Sequence, residues 1–178
     1  MRLPYYDAVR HVTIDGMHCP FLGVAKHVLS KLFEREILDG VQLQAYLNTL
    51  RVPRWIGKVV TSLVNKRKKK ISVKRLKAAE LKCFVTVYSD AVLTPLLPTQ
   101  YLTMWKHFSA ACQTLCRYQI ALGDLPQVHK DIYEFLTQFE TLFGFESCVP
   151  NMHFSRKLCL VFQTMDHFIP SGVLPLKE

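Results

Sequence analysis

Three long runs in the second half of the chain bring apolar residues back at three- and four-residue steps, and no other feature narrows the fold as much. Val73 to Leu93 places Leu76, Leu81, Phe84, Val85, Tyr88 and Val92 on one face. Thr99 to Leu122 does the same with Leu102, Trp105, Phe108, Ala111, Cys112 and Leu115, and Leu125 to Phe143 with Ile132, Phe135, Leu136, Phe139 and Leu142. This period is that of a helix with one buried stripe. Pro95 and Pro98 break the chain after the first run, Gly123, Asp124 and Pro126 open the third, and Gly144 suits the position just past its end. Three helices joined by short connections predict an antiparallel helical unit. The fold class expected is mainly α.

Upstream the pattern is more varied. Residues 1 to 8 read as irregular, and Arg10 to Ile14 as a short strand, because Val12 and Ile14 are β-branched and alternate. From Pro20 the period becomes helical through Phe21, Val24, Ala25, Val28, Leu29, Leu32 and Phe33, with an end expected near Asp39 and Gly40. Val41 to Leu50 gives another short helix, stopped before Pro53, which disfavours helical geometry at Val52. Trp55 to Val64 fits strand or helix, and is read as a short helix. In the tail, Asn151 to Phe168 can be drawn as a helix through Leu158, Val161, Phe162 and Met165. The ten residues Ile169 to Glu178 hold two prolines and a glycine and are expected to end as coil.

The charge is concentrated. The 178 residues hold 23 Lys and Arg against 14 Asp and Glu, a formal net charge of +9. Lys66, Arg67, Lys68, Lys69, Lys70, Lys74, Arg75 and Lys77 account for 8 of the basic residues with no acid among them, and removing those leaves 15 against 14. This segment could contact nucleic-acid phosphates, serve as a nuclear-import signal, or be a solvated connection. No aromatic residue interleaves with the lysines, which disfavours a base-stacking platform. Hydrophobic residues at 49% and charged residues at 21% argue for a packed protein rather than a disordered one. The 6 cysteines show no framework spacing, so thiols in a reducing compartment are expected, and a nuclear or cytoplasmic location with them. No apolar run approaches the ~20 residues of a membrane span, so no membrane partner is expected.

Several patterns could carry chemistry. Cys112 and Cys116 share a helix face and could offer two thiolates to zinc, but a matching second pair is missing and core packing is the favoured reading. His18 and His153 each follow a methionine in a turn-like context, Asp15-Gly16-Met17-His18 and Pro150-Asn151-Met152-His153, whereas His27, His107, His129 and His167 fit polar helix faces. Asp15, His18 and His153 could share a metal ion only through long-range closure. Neither a Gly-x-Ser-x-Gly nucleophile turn nor a phosphate-cradling glycine loop occurs.

The order of these segments is more specific than any one of them. Tyr5 to Leu29 with its Asp15-Gly16-Met17-His18 and Leu22-Gly23, then the basic stretch, then Ala78 to Cys116, then Glu134 to His153 with Val149-Pro150-Asn151-Met152-His153, resembles the C-terminal half of transposases of the CACTA (En/Spm) class. The resemblance covers roughly residues 4 to 160. It implies a ribonuclease-H-like core interrupted by a helical insertion, with DNA strand cleavage and transfer by three acidic residues and two divalent ions, Mg or Mn. Two-metal chemistry needs all three carboxylates around the scissile phosphate.

On that resemblance the first two acids would lie upstream of Asp15, and the third would be a glutamate in an aromatic Phe-Glu-Arg segment after His153. The residues from Phe154 to Glu178 lack such a segment, and Glu178 is a poor substitute. The expectation is therefore a non-catalytic, truncated transposase-like protein without a cofactor of its own: residues 1–19 a one-strand remnant of the catalytic core with its Asp-x-x-His turn, 20–148 the helical insertion with the basic segment, and 149–178 the Asn-Met-His segment and a divergent tail. His18 and His153 would face each other there. The alternatives are a domesticated DNA-binding module using the basic segment, and a helical scaffold that self-associates or pairs with the missing transposase segments.

Overall fold

A computed structural model describes residues 17–51, 53, 56, 60, 64–65, 70–71, 73–155 and 173–175. The fold is mainly helical. A π-helical turn, π1 (His18–Ala25), runs directly into α1 (Lys26–Glu34), and α2 (Gly40–Thr49) follows. Next come two short strands, β1 (Val64–Asn65) and β2 (Lys70–Ile71), paired antiparallel with Val64 opposite Ile71 and Asn65 opposite Lys70. A continuous helical stretch is then made of α3 (Ala78–Cys83), π2 (Phe84–Tyr88) and α4 (Ser89–Leu93). The long helices α5 (Thr99–Leu115) and α6 (Leu125–Phe143) form the most extensive interface, with β3 (Gln119–Ala121) between them in sequence. Residues 150–155 are helical, and β4 (Val173–Pro175) pairs antiparallel with β3.

The first helix stops earlier than its periodicity suggests. Glu36 takes a left-handed backbone (φ 56°), and the Ile37 and Leu38 N–H groups both return to the Leu32 carbonyl at 2.9 and 3.2 Å. That closes the helix end, and Leu38 tucks into the core. Asp39 then opens the next helix instead of ending the first: its Oδ1 accepts the Val41 N–H at 2.7 Å, as an N-cap carboxylate does.

Two further boundaries differ from expectation. The run from Val73 begins as a 3₁₀ turn (Val73–Arg75) and the α-helix starts only at Ala78, because Lys77 is extended and its N–H is taken by Glu80 Oε2 at 2.8 Å. The run expected to reach Leu122 ends at Leu115, and Gln119–Ala121 form a strand because Val173–Pro175 supply a backbone partner. The tail is thus not coil throughout. The α6 bounds match the sequence reading, with Gly144 at φ 86° after the last turn. The strand at Arg10 to Ile14, most of the Trp55 to Val64 helix, and the tail helix beyond Ser155 lie outside the described residues; Val64 itself pairs as a strand residue.

The main core runs from Phe21 through the helices to Met152, and Ala111, Val128 and Ile132 form a smaller cluster between α5 and α6. The middle of the main core is a chain of rings. Tyr88 meets Phe84 edge-on at 5.3 Å, Phe84 meets Trp105 at 5.9 Å, and contacts continue through Phe108, Phe135 and Phe139 to Phe143. Such tilted and edge-on pairs add roughly 0.5–1.5 kcal/mol each beyond area burial. The polar edge of Trp105 is satisfied by Ser89 Oγ at 2.9 Å, and Ser89 in turn donates to the Val85 carbonyl.

Candidate functional site: the motif seam

Cys19, Gly23 and His27 fall at four-residue steps, so π1 and α1 present them along one stripe, and each meets the segment 147–155. Cys19 Sγ donates to the Asn151 carbonyl at 3.4 Å and lies 3.8 Å from Ser155 Oγ. The same carbonyl accepts the Ser155 hydroxyl at 2.9 Å. His27 Nε2 pairs with the Ser147 carbonyl at 2.8 Å, and its ring lies against Phe139.

The centre of the seam depends on a missing side chain. A Cβ added to Gly23 would sit 2.3 Å from Asn151 Nδ2, 2.6 Å from its Cγ and 2.8 Å from its Cβ. Asn151 therefore packs directly on the Gly23 backbone, and no other residue type fits there without displacing it. The Leu22-Gly23 and Pro150-Asn151-Met152-His153 motifs are in contact.

The remaining motif residues divide by exposure. Met152 is buried in the main core, and Met17 and Leu22 pack against it from half-buried positions. Pro150, His18 and His153 are exposed. Asp15 lies outside the described residues. Among the described residues, no three His, Cys, Asp or Glu side chains are grouped to hold a metal ion.

Cys112 occupies the core at 3% exposure, as the packing reading expected. Burial first, then the neighbouring Cys116 and Cys19, pushes its thiol well above the ordinary value, and burial likewise raises Cys116.

Of the basic segment, Arg75 and Lys77 are exposed. Lys70 is described as the strand partner of Asn65 and Lys74 as part of the 3₁₀ turn, while Lys66, Arg67, Lys68 and Lys69 lie outside the described residues.

His27 and His107, expected on polar helix faces, are half-buried, and each has a structural partner. His107 Nδ1 lies 2.9 Å from Asp131 Oδ1, joining α5 to α6, and Gln127 donates to the other Asp131 oxygen at 3.1 Å. The seam roles of Cys19, His27, Ser147 and Ser155 were not foreseen. The four-residue spacing of a thiol, a glycine and an imidazole was the available signal.

No protein-family model, curated protein or solved structure matches the chain. The family resemblance therefore rests on the motif series and its order. No helix among the described residues is long and apolar enough to cross a membrane.

Proposed function

We propose that the protein is a transposon-derived, transposase-like protein that binds DNA without cutting it. In this reading the helical body is the insertion of a ribonuclease-H-like core. The observation that supports it most is the seam. The two short motifs that carry the resemblance, with Cys19 and Asn151 separated by 132 positions, meet through a glycine contact that leaves no room for substitution. DNA contact is assigned to the basic segment. The pairing of Asn65 with Lys70 brackets Lys66 to Lys69, and Arg75 and Lys77 add exposed cations just beyond.

Binding of this kind is read by salt, because each phosphate neutralised releases counterions. Lys66 through Lys70 replaced together by alanine should weaken binding to a duplex and make the slope of log affinity against log salt shallower by up to about 4.5. Equal affinity and an equal slope would remove the basic segment from the function. Incubation of supercoiled DNA with magnesium or manganese should leave it intact. Nicking that disappears in Asp15→Ala would make the protein an enzyme and overturn the non-catalytic half of the proposal.

A further inference from the structure

Two stretches of the chain are almost free of charge, and they meet in the fold. Gly40 to Leu50 holds no Asp, Glu, Lys or Arg, and Phe84 to Trp105 holds only Asp90, although such residues make up 21% of the whole chain. The first stretch contains α2 and the second contains α4, against which α2 packs. Leu43 and Leu47 turn α2 towards the core, which leaves Val41, Gln42, Ala45, Tyr46 and Thr49 exposed, Val41 at 71%. Val87 and Ala91 are exposed on the neighbouring stretch, while Asp90 is half-buried and its carboxylate accepts the hydroxyl of buried Ser109 at 2.9 Å. The outer side of a surface helix ordinarily carries charges. A face without them, with aliphatic and aromatic side chains in their place, has the composition of a protein–protein contact.

We propose that this face joins two copies of the chain, with α2 set against its own copy about a two-fold axis. Charge decides for a second copy. At +9 two copies repel each other, and an uncharged surface is where they can approach at the least cost. A different protein is ordinarily selected by charges complementary to its own, and the outer face of α2 offers none. A two-fold contact sets one patch against itself, so any charge near the axis would meet its like; an uncharged stripe satisfies that condition. Two short helices make a small interface, so the dimer is expected to form in the micromolar range. The inference does not depend on DNA binding, so either can fail alone.

The test is sedimentation of the full chain, freed of nucleic acid, at rising concentration. The mass should pass from one chain to two through the micromolar range; a single chain throughout overturns the proposal. Val41 and Ala45 lie four residues apart on the exposed stripe, so V41E/A45E and V41K/A45K each set like charges against their copies. Each double variant alone should associate roughly tenfold or more weakly than the unaltered chain, and an equal mixture of the two should restore the dimer. Unchanged association of the variants, or a mixture that stays monomeric, would overturn it. Added salt should tighten the unaltered dimer by screening the net charge, whereas copies bridged by residual DNA would come apart. Loosening by salt therefore also counts against the proposal. Helical circular dichroism checks that both variants are folded.

Discussion

At Gly23 a general preference and a local contact oppose each other. Alanine is favoured over glycine inside a helix by about 1 kcal/mol. Here the added methyl would meet three atoms of Asn151, including its Cβ, which is fixed to the backbone and cannot swing away. Overpacking of a tight contact costs about 1–3 kcal/mol. Gly23→Ala is expected to destabilise the protein by up to about 2 kcal/mol in urea unfolding, and Gly23→Ala with Asn151→Ala to recover most of that loss. A stabilised single variant would show that Asn151 does not rest on Gly23. The seam was only half legible in the sequence for a related reason. The motif residues could be singled out by their pattern, but a glycine does not reveal which distant side chain needs its space.

At the scale of elements, helix ends decided what could be read. The α6 ends were legible because Pro126 and Gly144 act through local backbone chemistry. The end of the first helix was not, since its left-handed residue is Glu36, a type with no preference for that conformation. Asp39 before Gly40 reads as a stop although the same residue can cap a start, and only the 2.7 Å bond from the Val41 N–H decides. The overrun into β3 has a non-local cause, a strand partner over fifty residues away.

Arg35 shows how these ends are joined. Its two guanidinium nitrogens donate to the Leu142 and Phe143 carbonyls at 2.9 and 2.8 Å, the last acceptors of α6, and its charge lies 5.0 Å from the Phe143 ring centre. A cation at a helix C-terminus is favourable, and the ring adds a further attraction. Arg35→Ala should cost about 1–2 kcal/mol in unfolding free energy. Arg35→Lys should restore only part of it, because an ammonium cannot span two carbonyls as the planar fork does. Full rescue by lysine would reduce the contact to simple charge.

For the whole molecule, the buried phenol of Tyr88 links stability to alkaline pH. Burial raises its pKa to about 12 from 10, outweighing the Val60 N–H, which donates to the phenol oxygen at 2.9 Å and favours the charged form. In the unfolded chain the phenol ionises near 10. The folded protein keeps its proton longer, so this contribution is fully present below pH 10 and is lost as pH rises from 10 to 12. The loss amounts to about 3 kcal/mol. At neutral pH Tyr88→Phe should cost about 1–2 kcal/mol, since the buried Val60 N–H loses its acceptor. That gap between the two proteins should close and then reverse as pH rises through 10 to 12, where lysine titration affects both alike. A gap independent of pH would place Tyr88 in a more solvated setting.

The distance in sequence between Cys19 and Asn151 has a consequence for the order of folding events. Closing a loop of 132 positions costs more entropy than closing the short connection between α5 and α6, and that cost must be met before the seam returns anything. The α5–α6 hairpin, whose contacts are close in sequence, can form early; the seam closes onto a body already built. Damage at Gly23 or Asn151 would then leave the refolding rate nearly unchanged and speed unfolding, so the seam governs how long the native state lasts once it has formed.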